Sequence, residues 1–368
     1  MPVVQSLITI VLFFVVLGLL VIVHELGHFF TARAAKVRVL EFGIGFPPRA
    51  KVIRSKGETL YTLNWLPIGG FVKLEGEDGD GQGDPRSFSN QNLLTRLWIL
   101  VAGVLMNIIL AFVLFAAIAW FASPYAGVKI GSVMPDSPAQ AAGLQEDESI
   151  YALNGERYQF MLGETILDDL AARPGETVTL TVVGTNGVQR EVEVTLRDAA
   201  AIAANQGALG VKASPGGFEL YWSGEYAQND PATALGTGAR HLVGALGLIL
   251  GGLGTLVSSV ATNPTQPPPV AGPVGIATQL GDIFWGAGPI LTLYVAAILS
   301  ANLAVVNILP FPPLDGGRML MITLKSLFGT RISLRAEQLT YMVGFVFLFA
   351  FLIWVTGYDI IRQLGGGT

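Results

Sequence analysis

The sequence predicts an α-helical polytopic membrane protein of about four spanning helices, with a folded α+β domain inserted between the second and third. Composition is the first sign: of 368 residues 51% are hydrophobic and only 13% charged, whereas soluble domains carry about 25% charged residues. The second is that the apolar residues gather in long runs, each near the roughly 20 residues a bilayer core requires. The third is a long polar stretch in mid-chain, patterned like a small globular domain.

The first run covers about Leu7 to Phe30 and is broken only by His24, Glu25 and His28. No Lys or Arg precedes it, so it lacks the positive region of a signal peptide. A second run extends from about Leu97 to Ala122, a third from about Pro289 to Leu309, and a fourth from about Tyr341 to Trp354 or slightly beyond. A Gly-rich apolar stretch from about Leu235 to Ala261 would pass as a fifth on hydropathy alone. Charge argues against it. The segment Arg33 to Arg96 holds ten of the 22 basic residues. Short cytoplasmic loops collect Lys and Arg, which puts this segment inside and the N-terminus outside. Between the second run and Leu235, fifteen acidic residues face six basic ones, so that region reads as outside. The loop with Arg318, Lys325, Arg331 and Arg335 is basic and inside again. These sides close only if 235–261 lies on the outer face or dips in and returns.

In the outer region Val128 to Val133 is expected as a strand, Ser137 to Gly143 as a short helix, and Phe160 to Ala172 as another. Thr177 to Val183 and Val188 to Leu196 alternate apolar and polar residues around Asn186-Gly187, a hairpin signal. Pro264 to Pro273 is expected as linker, because proline supplies no backbone donors. The chain so divides into a membrane core at 1–122, a folded domain at 123–215, a peripheral amphipathic linker region at 216–288 and a second membrane core at 289–368. A net charge of -5 without a basic block gives no sign of nucleic-acid binding. Cysteine is absent, which excludes a disulfide scaffold and any Cys-ligated metal.

A metal site must then be built from His, Asp and Glu, and two of the three histidines fall in His24-Glu25-Leu26-Gly27-His28. On a helix, positions i and i+4 share a face, so both imidazoles reach one ion, with Glu25 placed as general base. Two polar side chains hydrogen-bonding inside a bundle would give the same letters. Ionisable groups in an apolar span are costly, however, and usually functional. Catalytic zinc takes three protein ligands plus water, so one ligand is missing. Asp315, in Asn307-Ile-Leu-Pro-Phe-Pro-Pro-Leu-Asp315-Gly-Gly, follows the third run at its inner end. Spacing alone reads it equally well as an Asp-Gly turn. His241 competes, but the charge pattern sets it at the opposite face.

Together these motifs resemble the site-2 protease family of intramembrane metalloproteases (peptidase M50), in its bacterial branch with a PDZ domain. His24 to His28 matches the first family motif and Asn307 to Gly317 the second. The resemblance implies Zn2+ held by His24, His28 and Asp315, catalysis by Glu25, and a substrate-holding role for Asn307. Phe42-Gly-Ile-Gly-Phe46 and Pro67-Ile-Gly-Gly-Phe-Val-Lys73 resemble the family's membrane-associated β-hairpin on the cytoplasmic side. There Gly69, Gly70 and Phe71 would present a strand edge to an unwinding substrate. Ala102-Gly103 and Asn107 resemble a second-span pattern, with Val104 where the family usually has Pro. Ala271 to Ile276 matches a segment before the third span. Asp136 to Leu144 resembles the PDZ signature and Leu153-Asn-Gly155 its later turn, with Asp147-Glu148 where Gly-Asp is usual.

The expectation is a multi-pass protein of the bacterial cell membrane. Its N-terminus and PDZ-like domain would be extracytoplasmic and its metal site near the cytoplasmic side. It would cut peptide bonds within or near transmembrane segments of membrane proteins, with anti-sigma factors and remnant signal peptides as the family's substrate classes. The PDZ-like domain would contact a peptide or substrate end, or filter substrates by size.

Overall fold

The apolar runs and the polar stretch between them fold separately. A computed structural model describes residues 2–55, 57–77, 83–204, 206–213, 219–262, 267–329 and 333–364. Lys56, Arg331, the Pro264 end of the proline-rich stretch and the 215/216 boundary lie outside the described residues. The first unit comprises 1–115 with 240–368, and the second 116–239.

Along the chain, α1 (Pro2–Ala34) is followed by strands β1 (Val39–Arg54) and β2 (Leu60–Leu74) and by α2 (Leu93–Phe121). Next come β3 (Ser123–Lys129), β4 (Ser132–Val133), α3 (Pro138–Ala141), β5 (Ser149–Leu153), β6 (Glu156–Arg157) and α4 (Ile166–Ala171). After them lie β7 (Thr177–Val183), β8 (Gln189–Thr195), α5 (Ala199–Ala203), β9 (Val211–Lys212) and β10 (Leu220–Ala227). The chain ends with α6 (Pro231–Thr262), α7 (Pro273–Ala287), α8 (Pro289–Ile308), α9 (Asp315–Phe328) and α10 (Leu334–Leu364).

Among the described residues five helices, α1, α2, α6, α8 and α10, are long and apolar enough to cross a membrane. At 1.5 Å per residue α8 reaches about 30 Å, the thickness of a hydrocarbon core, while α1 reaches about 50 Å. The charge argument counted four spans and set 235–261 aside; by length and composition α6 qualifies as a fifth candidate. The run Tyr341 to Trp354 is only the middle of α10, which continues through polar residues. Asp359 is tolerated there, 3% exposed, because its carboxylate accepts the backbone N–H groups of Gly272 (3.2 Å) and Gly275 (2.8 Å). It thereby satisfies donors at the N-terminus of α7 that would otherwise be orphaned. A Cβ at Gly272 or Gly275 would meet that carboxylate at 2.7 or 2.8 Å, which explains the glycines of Ala271 to Ile276. The stretch 216–288, read as a linker region, holds β10, α6 and α7.

β1 and β2 form more than a plain hairpin. Phe42 pairs with Val72 on one side and Tyr61 on the other, Ile44 with Gly70 and Leu63, and Val52 returns to Thr62. The two long strands are therefore bent into a small folded-back sheet. Its apolar face, including Phe42, Leu74 and Val39, packs with Phe29 of α1 and Ile99 of α2. Glu41 is buried within it, accepting from Arg49 at 2.6 and 3.0 Å and from Thr62 at 2.7 Å. The Arg49 guanidinium holds its carboxyl below the usual carboxylate range.

The second unit is a sheet of order β10-β3-β5-β7-β8, with β6 beside β5 and a separate β4–β9 pair. Val178, Leu180 and Val182 of β7 point into a core with Ile130, Ile150, Leu153 and Val192, as their alternation requires. β7 and β8 pair from Thr177↔Thr195 to Val183↔Gln189, around a turn in which Gly187 takes φ 75°. Two expected elements are split. The strand expected over 128–133 breaks into β3 and β4, since the N–H of Ile130 goes to Glu148 and that of Gly131 to Lys212. The helix expected over 160–172 is interrupted by Gly163 at φ 82°, leaving a 3₁₀ turn and then α4, capped by the Thr165 hydroxyl. Where the PDZ signature has Gly, Asp147 takes φ 66°, a left-handed conformation that Asp tolerates better than most residues.

Candidate metal centre

The helical repeat sets His24 and His28 of α1 on one face, both under 10% exposed. Their Nε2 atoms lie 3.1 Å apart. The first residue of α9, 291 positions from His24, brings Asp315 Oδ2 to 2.9 Å from His24 Nε2 and 3.2 Å from His28 Nε2. Donors 2.0–2.1 Å from a tetrahedral zinc are about 3.3 Å from one another. Two imidazoles and a carboxylate converging at that spacing therefore fit a zinc ion in both geometry and ligand type.

Neighbouring groups hold these donors in place. The Nδ1–H of His28 donates to the carbonyl of Ile99 at 2.8 Å, which leaves Nε2 with its lone pair toward the centre. The Asn107 amide lies 3.5 Å from His24 Nδ1, and its buried Oδ1 has no partner among the described residues. Turning the amide over would aim Oδ1 at His24 Nδ1–H, the tautomer that frees His24 Nε2. Ser300 of α8 donates to the Asn107 carbonyl at 2.8 Å, tying α2 to α8.

α1 and α2 cross almost backbone to backbone. A Cβ at Gly103 would meet the His28 ring at 2.5 Å and the His24 ring at 2.8 Å, and one at Gly27 would strike the Ala102 carbonyl. The second motif is explained similarly: a Cβ at Gly316 would strike the carbonyls of Ile308 and Leu309, and one at Gly317 the backbone of Phe311 and Pro312. The first turn of α9 can sit on the end of α8 only because both are glycine. One turn beyond Asp315, Arg318 forms an ion pair with Glu77, just past β2.

Glu25 is half-buried and its carboxylate lies within 4.8 Å of the histidine donor atoms. β2 passes beside it, and a Cβ at Gly70 would stand 3.8 Å from Glu25 Cγ and 2.9 Å from the Gly43 carbonyl. Gly69, at φ 76°, lies against Phe46 and Val21, and the Phe71 ring covers Gly43. Asn307 sits half-buried on the last turn of α8, and its side chain makes no hydrogen bond among the described residues. His241 is apart from the centre, with Nδ1 3.0 Å from the Tyr294 hydroxyl and its ring 5.7 Å from Phe115.

Ile99, Gly103 and Asn107, none of them assigned a role from sequence, all face the histidine pair. They recur at i, i+4 and i+8 on α2, a single helical stripe, and that spacing was the available signal. Replacing Gly103 by Val is expected to displace both imidazoles and weaken metal retention by at least about tenfold, the scale of losing a group that orients a ligand. Metal analysis of the purified variant, with helicity checked by circular dichroism, tests this; unchanged retention would refute the tight crossing.

The description "Peptidase family M50" matches residues 12–351. The chain is 30% identical over 363 residues, 98% of its length and 99% of the relative's, to a Clostridium acetobutylicum protein named as a candidate zinc metalloprotease. It is 28% identical to zinc metalloprotease RasP of Geobacillus kaustophilus, over 97% of this chain and 99% of that one. Against zinc metalloprotease RasP of Shouchella clausii the identity is 27%, over 96% and 98%.

Proposed function

The chain belongs to peptidase family M50, and from that premise we propose that it is a zinc metalloendopeptidase cutting peptide bonds within or near transmembrane segments of other membrane proteins. The observation that carries this reading is the meeting of His24, His28 and Asp315 beside Glu25, on helices otherwise apolar enough to lie in a bilayer. A zinc ion held by those three donors would polarise the scissile carbonyl and make water nucleophilic near neutral pH. Glu25 takes the proton from the attacking water and passes it to the leaving amine. Ile99 and Asn107 keep the two imidazoles in the tautomer that points Nε2 at the centre. The substrate helix must unwind first, because its carbonyls are otherwise satisfied internally. The backbone at Gly69, Gly70 and Phe71, running past Glu25, receives the unwound segment as an added strand, and Asn307 holds it from the α8 side.

The basic residues around β1 and β2 and along α9 set this end of the chain in the cytoplasm. The second unit, as a PDZ-like domain, and the N-terminus lie outside. Four spans with α6 at the outer face satisfy these sides. His241, near the start of α6, packs on Phe115, late in α2, and on Tyr294, early in α8, which agrees with that start lying at the outer side. The cell membrane of a bacterium is the site of action. Anti-sigma factors and remnant signal peptides are the substrate classes, with the PDZ-like domain meeting a substrate end or excluding bulky ones.

The full chain reconstituted in proteoliposomes with a single-span substrate tests the proposal. Treatment with 1,10-phenanthroline is expected to stop cleavage and added zinc to restore it. Undiminished cleavage by metal-free protein would overturn the reading.

A further inference from the structure

Three basic side chains near β1 and β2 are neutralised by carboxylates. Arg49 pairs with Glu41, Arg38 with Glu75 and Asp84, and Arg86 with Glu58 through hydrogen bonds of 2.7 and 2.5 Å. Arg33, Lys36 and Arg54, like Lys51 and Lys73, form no ion pair and no side-chain hydrogen bond among the described residues, but these three converge. All three line one cavity of about 650 Å³, together with the paired Arg86 and Glu58. A second cavity, of about 400 Å³, shares Arg54 and Tyr61 with it and is otherwise mostly apolar, lined by Leu26, Phe29, Phe42 and Ile53 among others. The two adjoin at Arg54 and Tyr61, so a recess spanning them would have a cationic end and an apolar end. Its apolar wall runs along α1 to Leu26, inside the HELGH motif.

The C-terminal dipole of α1 accounts for a cation at Arg33. It does not account for Arg54, which arrives from β1, nor for the adjoining apolar space. α1 is longer than a hydrocarbon core requires, which sets its last turn at headgroup level, where Lys, Arg and Tyr side chains favour the interface. Each cavity is within the size range of small-ligand sites. We propose that this recess holds one anionic phospholipid. Its phosphodiester lies among Arg33, Lys36 and Arg54, and an acyl chain lies along Leu26, Phe29 and Ile53. The lipid so lies against both α1, which carries Glu25, and the sheet that carries Gly70.

Titration of the full chain in detergent with phosphatidylglycerol or phosphatidylcholine, read by native mass spectrometry, tests this. One phosphatidylglycerol is expected to bind in preference to phosphatidylcholine. Arg33→Gln, Arg54→Gln and Lys36→Asn (Asn suits the φ of 61° at that position) should each weaken it about fivefold, the scale of one basic residue at a lipid surface. Lys51→Gln, an exposed cation on β1 outside the recess, should leave binding unchanged, and metal content should stay constant in all four variants. Equal binding of both lipids would overturn the proposal, as would an equal loss in Lys51→Gln, which would mean diffuse attraction. Full competition by glycerol phosphate, or displacement by an acidic peptide, would assign the recess to a different ligand and equally overturn it.

Discussion

Glu25→Gln is expected to keep its metal and lose hydrolysis by about 10²–10⁴-fold, the usual worth of a positioned general base. Gln has the size and shape of Glu but cannot accept the proton of the attacking water. Glu25 contributes no edge to the triangle of His24, His28 and Asp315, so the metal set should survive the change. β2 packs against its methylenes at Gly70, and Gln retains those methylenes, so the neighbouring sheet is not disturbed. Cleavage of a reconstituted single-span substrate and zinc content of the same preparation are the paired measurements. Zinc retained with activity lost supports the assignment. Activity close to that of the parent chain would remove Glu25 from the mechanism.

Asp315→Ala should give the largest loss of metal. Removing even a group that only orients a ligand costs about 10–100-fold in affinity, and a direct ligand should cost at least as much. The two imidazoles that remain, 3.1 Å apart, come from one helix and cannot close a catalytic zinc site alone. The α8–α9 junction should nevertheless hold, since Gly316 and Gly317 permit its close contact and Arg318 still pairs with Glu77. Zinc measured after equilibration with a competing chelator, with limited proteolysis to monitor the junction, reads the effect. Full occupancy would show that a different group completes the set.

Length and hydropathy made α1, α2 and α8 legible nearly to their ends, because a bilayer demands about 20 consecutive apolar residues whatever the surrounding fold. Asn186-Gly187 marked the β7–β8 turn because its backbone conformation admits few residue types. α10 was underestimated. Its last turns carry Asp359, which looks too polar to continue an apolar helix until the backbone of α7 is seen to satisfy it. The extra pairing inside β1 and β2 was also hidden, since alternation along a strand reports its faces and not how many neighbours its edges have.

The metal centre divides along the same line. His24 and His28 could be placed together from sequence because four residues on a helix are neighbours by local geometry alone. Asp315 could be nominated from charge topology, on equal terms with a plain turn, and was singled out by resemblance. Nothing in its spacing from His24 says where a residue 291 positions away will lie. The tertiary structure brings it there through glycines at helix contacts. It also recruits the Ile99 carbonyl, a backbone acceptor with no side-chain signature. Sequence alone determined the long apolar helices α1, α2 and α8 and which donors share a face, because those are short-range properties of the chain. Which donors meet, and in which tautomer, was decided only by how closely α1, α2, α8 and α9 pack.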